Sequence, residues 1–397
     1  MSKRLLHTPD GVMDIYNGQC ERKEELLGRL HRQLKLHAFK DIQTPVYEYF
    51  DVFNRDNMDL SSKEMYKFID RDGDTLVLRP DITPSIARAT SKYFSDETLP
   101  IRFCYQGNTY INYKNYQGKL KEQTQTGAEL INDASVNADA EILALAVECL
   151  KSSGLSDFQI EVGHSDFFEG IIGDAGLDNE TVDKLRELIE NKNYFGIQEI
   201  VSDKKLTAQQ KELFVKLPEM FGSVEILYEA EKLVKSEKSL LALKRLEDIY
   251  EILKLYDADG YISFDLGMLS KFDYYTGIIF KAYTYGTGEA VITGGRYDTL
   301  LSQFGKNSPA VGLAVLVDTL LSALSRQKHE YRLSADDTLI LYDALKTREA
   351  IKKANELRNS GINVSLLEKS IFGTDKDMDD KLKKYSERMG ISKIIEL

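Results

Sequence analysis

Leu78-Arg79-Pro80-Asp81-Ile82-Thr83-Pro84 is the stretch on which the reading of the fold turns. Upstream, Phe68-Ile69 and Thr75-Leu76-Val77-Leu78 flank the polar run Asp70-Arg71-Asp72-Gly73-Asp74. Lys67 to Leu78 therefore reads as a hairpin, with Asp-Gly between apolar runs as its turn. Downstream, Pro84 suits the first turn of a helix that runs to about Tyr93, and Asp81 or Thr83 can cap it. The string thus sets a carboxylate and a hydroxyl two residues apart where a strand gives way to a helix. Such a pair can hold an ammonium group. The same two residue types are also ordinary helix caps.

Working outward, residues 1–20 read as an extended arm with a turn at Thr8-Pro9-Asp10-Gly11. Cys20 to about Ala38 carries Leu26, Leu27, Leu30, Leu34 and Leu36 at helical spacing. Phe39 to Tyr47 reads as a strand, with Pro45 near an edge or bend. Ile101–Gln106 and Lys121–Ile131 read as strands, Ala138–Ser152 as a helix and Phe158–Val162 as a strand. From about 166 to 258 the chain is charged and helical, with segments at Glu180–Asn191, Ala208–Lys216 and a long one from Val224 to Leu255. That block interrupts the strand pattern and reads as an inserted helical subdomain. Strand signals return at Tyr261–Asp265, Gly277–Tyr285 and Ala290–Thr293, and Val311 to Leu324 reads as an apolar helix. After the polar junction Gln327–Leu333 the pattern is βαβαβ: Thr338–Tyr342, Thr347–Ser360, Asn363–Leu367, Asp377–Met389 and Lys393–Glu396.

Composition narrows the function. With 52 Lys and Arg against 64 Asp and Glu, the net charge is −12, the wrong sign for a broad nucleic-acid footprint. The region from residue 335 onward carries twelve basic and twelve acidic residues, again no excess. Cys20, Cys104 and Cys149 form no CxxC and are too few for a disulfide framework. The five histidines show no ligand spacing, so no metal is expected. No Gly-rich run follows the dinucleotide or phosphate-loop templates, so no nucleotide cofactor is expected. No apolar run is long enough to span a membrane, and the first residues lack a signal-peptide core. The expectation is a cytoplasmic protein.

Two further pieces are suited to a polar pocket. On a strand, Gln125, Gly127 and Glu129 of Gln125-Thr-Gly-Ala-Glu129 share a face, with Gly127 leaving room between an amide and an acid. That pair can grip an imidazole and an ammonium; a solvated outer face has the same pattern. Tyr274 and Tyr275, in Phe272-Asp273-Tyr274-Tyr275-Thr276-Gly277, suit a pocket wall, each with a flat apolar body and a polar tip. With 22 Tyr in the chain, plain packing explains them equally well. Gly294-Gly295-Arg296-Tyr297-Asp298 offers backbone room, or a tight turn after the preceding strand.

Taken in order, these strings, together with Thr8-Pro9-Asp10-Gly11-Val-Met-Asp14 and Ile42-Gln-Thr-Pro45-Val-Tyr-Glu48, resemble the class II histidyl-tRNA synthetases over roughly residues 5–325. Within that superfamily the Arg-Pro-Asp-Ile-Thr-Pro string is most similar to the regulatory-subunit branch of ATP phosphoribosyltransferase. The resemblance implies an α+β fold: a class II aminoacyl-tRNA synthetase-like antiparallel sheet core flanked by helices, with a helical insertion and a small C-terminal α/β domain. The core would span 1–325, the insertion about 166–258, and a truncated anticodon-binding-like domain 335–397.

The resemblance also implies residue roles. Asp81 and Thr83 match positions that hold the amino-acid ammonium, Gln125 and Glu129 the pair that binds histidine, and Tyr274 and Tyr275 the imidazole wall. The nucleotide half departs from the family. Where a synthetase has arginine, this chain has Ile111, Ser270 and Thr319, in the stretches Arg102–Ile111, Met268–Gly277 and Val311–Leu320. Tyr113 stands in place of a glutamate and Leu316 in place of a glycine. A guanidinium is a fixed cation with a planar donor fork, and Lys271 beside Ser270 is a poor copy. The implied function is therefore a catalytically silent regulatory subunit. It would bind L-histidine as effector, form homodimers within a hetero-octamer, and partner the short-form catalytic subunit of ATP phosphoribosyltransferase. The alternatives are a divergent histidyl-tRNA synthetase and a free-standing amino-acid sensor.

Overall fold

The computed structural model describes residues 3–54, 61–113, 119–269, 275–329, 337–372 and 378–397. The chain divides into two compact units, residues 1–12 with 27–329 and residues 13–26 with 330–397. Helix α1 (Gly18–Leu36) runs across that division.

In the larger unit the expected strand from Phe39 to Tyr47 is broken in two, β1 (Lys40–Asp41) and β2 (Tyr47–Tyr49). The backbone between them is engaged by Arg79. Its amide donates to Val46 O at 2.9 Å and its Nη1 to Thr44 O at 2.9 Å. Pro45 contributes no N–H, so a continuous ladder cannot form there. β2 joins the expected hairpin, β3 (Lys67–Ile69) and β4 (Thr75–Leu78), in a small antiparallel sheet. The Asp70 carboxylate closes its turn, accepting from the amides of Asp72 and Asp74 at 2.9 Å each, while Gly73 takes a left-handed φ of 94°. Helix α2 (Thr83–Tyr93) follows.

The main sheet has nine strands. In chain order they are β1, β5 (Ile101–Tyr110), β6 (Glu122–Ile131), β7 (Phe158–His164), β8 (Phe221–Gly222), β9 (Ile262–Asp265), β10 (Ile278–Thr284), β11 (Ile292–Arg296) and β12 (Ala310–Leu316). Their spatial order is β1-β5-β6-β12-β11-β10-β7-β9-β8. Pairing is antiparallel except at β1·β5 and β7·β9. Helix α3 (Val136–Ser152) is apolar nearly all round, with Ile142, Leu143, Leu145 and Leu150 buried. The inserted block holds α4 (Ser165–Ala175), α5 (Asn179–Glu190), α6 (Tyr194–Ser202), α7 (Ala208–Lys216), α8 (Glu225–Glu231) and α9 (Glu237–Leu255). The long helix expected from Val224 is thus two, and the block lends strand β8 to the edge of the sheet.

One reading is corrected outright. Val311–Leu324 is not a single helix: it is most of β12 followed by α10 (Val317–Arg326). Val311, Leu313 and Val315 are buried in the middle of the sheet. A short, continuous apolar run does not distinguish a fully buried strand from a buried helix. Likewise Gly294-Gly295-Arg296 is not a turn but the last part of β11.

The smaller unit has three parallel strands, β13 (Asp337–Tyr342), β14 (Val364–Glu368) and β15 (Ile391–Glu396), in the order β14-β13-β15. Helices α11 (Thr347–Asn359) and α12 (Met378–Met389) connect them. Leu339 and Leu341 pack with Phe372 and Leu382, while Ile340 packs with Ala350 and Ala354, so both faces of the central strand are covered, as parallel strands require. No described helix of the chain is long and apolar enough to cross a membrane.

Candidate functional site

The site is built on one face of β5, β6, β11 and β12. In β6, Gln125, Gly127 and Glu129 alternate onto that face, opposite Leu316, Ala314 and Gly312 of β12 and Gly107, Tyr105 and Phe103 of β5. Gly312 pairs in turn with Gly295. The glycines are required here. A Cβ on Gly312 would overlap the Glu129 carboxyl, and one on Gly127 would overlap Leu313 O and the Tyr105 hydroxyl. Gly295 carries the Tyr275 ring, whose Cδ1 and Cε1 would lie 2.6 Å from any added Cβ.

Glu129 is the centre of the cluster. It is 1% exposed. Its Oε1 accepts from Thr83 Oγ1 at 2.8 Å, and its Oε2 accepts from the Tyr297 hydroxyl. Burial pushes its pKa up to about 8; the Thr83 and Tyr297 hydrogen bonds oppose that shift and the nearby Asp81 charge adds to it. Such a carboxyl can donate to an imidazole nitrogen while protonated and accept from an N–H when ionised. Two more polar atoms face the same space. Tyr105 Oη and Gln125 Oε1 are buried with no hydrogen-bond partner among the described residues. Leaving such atoms unpaired costs on the order of 1–3 kcal/mol each.

The expected helix cap is not made. Ile82 occupies the cap position of α2 without a side-chain bond. Asp81 Oδ1 accepts from the Thr83 amide, at 3.3 Å, and the Thr83 hydroxyl is turned to Glu129. Asp81, Thr83, Gln125, Glu129 and Tyr275 therefore share one neighbourhood. Tyr274 lies outside the described residues, as do Ser270, Lys271 and Asp273. Tyr105 and Tyr297 were missed in the sequence. Tyr105 was legible from alternation, being opposite Gly127, but nothing local marks Tyr297, whose partner Glu129 lies 168 residues away.

Two of the three positions that the resemblance matches to synthetase arginines are among the described residues, Ile111 and Thr319, and neither is a cation. The Ile111 amide donates to Lys121 O at 2.9 Å, and Thr319 sits in the first turn of α10. Two acids line the same region. Asp318 Oδ2 accepts from the Thr124 amide at 2.6 Å, and Glu122 Oε1 from Asn108 Nδ2 at 2.7 Å. The Arg79 guanidinium lies with its Nη2 next to Gly107, while its Nε donates to Asn108 O and its Nη1 to Thr44 O and Pro45 O. A polyphosphate needs positive partners, and neither Ile111 nor Thr319 supplies one. Among the described residues one group of possible metal ligands converges, His31, Asp41 and Cys104. It lies at the sheet edge, where Asp41 is already bonded to Lys35 at 2.8 Å and to His31 at 2.6 Å.

Comparison with known proteins shows the family and the fold. The histidyl-tRNA synthetase family pattern matches residues 11–320. A protein from Acetivibrio thermocellus named ATP phosphoribosyltransferase regulatory subunit is 37% identical over 366 residues, covering 92% of this chain and 88% of its own. One of the same name from Ruminiclostridium cellulolyticum is 36% identical over 397 residues, covering 100% and 93%. Among solved structures, an ATP phosphoribosyltransferase regulatory subunit/histidyl-tRNA synthetase from Bacillus halodurans aligns with a TM-score of 0.87 at 32% identity, covering 99% of this chain and 98% of that one. The histidyl-tRNA synthetase of Nostoc sp. PCC 7120 shares the fold, with a TM-score of 0.79 at 19% identity over 97% of this chain and 90% of that one.

Proposed function

The chain belongs to the ATP phosphoribosyltransferase regulatory-subunit family of histidyl-tRNA synthetase-like proteins, and from that premise we propose that it binds L-histidine without activating it and passes the signal to a catalytic partner. Asp81, Thr83, Gln125, Glu129, Tyr274 and Tyr275 are the proposed effector residues, and Tyr105 and Tyr297 join them. One observation carries the reading: two buried polar atoms, Tyr105 Oη and Gln125 Oε1, have no hydrogen-bond partner among the described residues and stand beside a buried carboxyl on a glycine floor. A ligand with N–H donors and a flat ring satisfies all three features at once.

The proposed partner is the short-form catalytic subunit, which this chain activates and to which it brings feedback by histidine. The physical requirement is linkage. Histidine shifts the partner only if it binds two states of the assembly with different affinity, typically by about 1–3 kcal/mol. Catalytic silence is supported by Ile111 and Thr319 where cations would be needed. Loss of one positioned donor to a developing charge costs on the order of 10²–10³ in rate. The same reading takes residues 1–325 as the synthetase-like core, 166–258 as its insertion and 335–397 as the anticodon-binding-like domain. It also places homodimers of the chain in a cytoplasmic hetero-octamer.

The test is reconstitution. Adding this chain to the isolated short-form transferase is expected to raise phosphoribosyl transfer, and histidine to lower it again in the complex. Transfer that ignores the chain, or a stimulated complex blind to histidine, refutes the assignment. Of the alternatives, the divergent synthetase draws on the double name of the Bacillus halodurans structure. It requires an ATP site, for which Ile111 and Thr319 supply no cation.

A further inference from the structure

Strand β11 presents its residues alternately to the two sides of the sheet. Gly295, and Tyr297 just past the end of the strand, face the pocket, where one floors Tyr275 and the other bonds Glu129. Arg296, between them, faces away and is 2% exposed. Behind the sheet its Nε and Nη2 meet Asp139 Oδ1 at 2.8 and 2.7 Å. Its Nη1 takes Asp133 O at 3.0 Å and Asp298 Oδ1 at 3.1 Å. Asp139 stands in the first turn of α3 and is fully buried. Its second oxygen, Oδ2, is held by Arg245 of α9, with Nε at 2.7 Å and Nη2 at 2.6 Å. Arg245 Nη2 also reaches Ala134 O at 3.0 Å.

The pocket wall hangs from the same arginine. The Thr276 amide donates to Arg296 O at 2.8 Å, and the Asp298 amide to Thr276 Oγ1 at 2.8 Å. The Arg296 stem lies against Gly277, where an added Cβ would come within 2.8–3.0 Å of it. On its other side Gly277 O accepts from the Ser165 amide at 2.9 Å, at the start of α4. The segment that carries Tyr275 is therefore gripped by Arg296 and by the first residue of the inserted block.

We infer that Arg245 is a positioning residue for the effector pocket. Acting through Asp139 and Arg296, it ties α9 of the insertion to the strand that presents Gly295 and Tyr297 and to the wall that presents Tyr275. The inference rests on the pocket reading above and adds its regulation: ligand in the pocket and the seating of the insertion belong to one equilibrium. The buried carboxylate is the joint. Two guanidinium groups share it, one on each oxygen, so displacement of either leaves one oxygen of a buried carboxylate without its counter-charge in a site closed to water. Arg245 touches no ligand position itself, and its side chain is 25% exposed, so it is open to replacement while Asp139 keeps Arg296.

The experiment uses the full chain assembled with its catalytic partner and reads the histidine concentration at half-saturation, alongside the thermal midpoint without histidine. Arg245→Met is expected to raise half-saturation roughly tenfold, the range found for mutations along coupled networks. Arg245→Lys is expected to recover part of the loss, since it restores the charge but not the fork; it carries the same readout if the Met variant does not assemble. Lys244→Met is the control, because that neighbour pairs only with Glu247 and Asp248 on the exposed face of α9 among the described residues, and it is expected to leave half-saturation unchanged. A shift in thermal midpoint with unchanged half-saturation in the Arg245 variants overturns the inference, as does an equal shift in the Lys244 control. If the unaltered complex takes up no histidine, the pocket reading falls and this inference with it. Uptake by the unaltered complex with no loss in Arg245→Met overturns this inference alone.

Discussion

Gly127→Ala is expected to abolish histidine binding, with affinity lowered by more than about a hundredfold, the equivalent of roughly 2.7 kcal/mol. The added methyl has nowhere to go. It would overlap Leu313 O, and it would stand 2.6 Å from Tyr105 Cζ. Leu313 belongs to the ladder between β6 and β12, so its carbonyl cannot swing away without breaking sheet hydrogen bonds. The Tyr105 ring is the softer neighbour, and its displacement removes one of the two unpartnered atoms on which the pocket reading rests. Overpacking of this kind also lowers stability by about 1–3 kcal/mol. Gly28→Ala serves as the contrast. Nothing lies within 4 Å of a Cβ there, in the interior of α1, so the better helix propensity of Ala is expected to stabilise by up to about 1 kcal/mol. Calorimetric titration with histidine and a thermal melt on the same samples decide the matter. Wild-type affinity in Gly127→Ala would remove β6 from the effector site.

The second large effect is at Glu129. Glu129→Ala is expected to weaken histidine binding by roughly 1.5–3 kcal/mol, the scale of a hydrogen bond to a charged group. It also strands the hydroxyls of Thr83 and Tyr297, which both donate to it. Glu129→Gln keeps the shape and isolates the titration. In the folded chain the carboxyl holds its proton up to about 8, whereas in the unfolded chain it ionises in the ordinary carboxylate range. The native state therefore binds the extra proton across that interval, and the ligand-free protein loses stability as pH rises through it. Below the carboxylate range both states are protonated, and Glu129 contributes no slope. Urea midpoints between pH 5 and pH 8.5 on the order of one pH unit apart are expected to fall in the wild type and to flatten in Glu129→Gln. Parallel slopes in the two proteins would show that Glu129 does not titrate in this window.

The contrast between what the sequence disclosed and what it hid follows from local physics. The Asp72-Gly73 turn was legible because its chemistry is local: Asp70 closes it and glycine supplies the left-handed φ. Gln125, Gly127 and Glu129 were legible because a strand has a fixed two-residue period. Val311–Leu324 misled because an apolar run without polar alternation has no period to read, and the chain turns from strand to helix at Leu316–Val317 with no glycine or proline to mark it. Gly294-Gly295 left two readings open, backbone room and a tight turn, and the structure takes the first: the glycines answer a long-range demand, space for Tyr275 and for the Phe280 ring. Thr83 was a fair helix cap on local grounds. Its true partner, Glu129, lies 46 residues away, a distance at which propensity carries no information. The arginine gaps came from a resemblance. What the structure adds is the pair of acids, Glu122 and Asp318, on the same ground.

We propose that the synthetase-like fold keeps a place for an amino acid and has given up the place for ATP. Histidine-dependent exchange of pyrophosphate into ATP by the isolated chain tests this most directly. The predicted result is exchange at the level of a no-enzyme blank, at histidine concentrations that saturate the protein. Brisk exchange that requires histidine would mean that histidyl-adenylate is formed, and would contradict it.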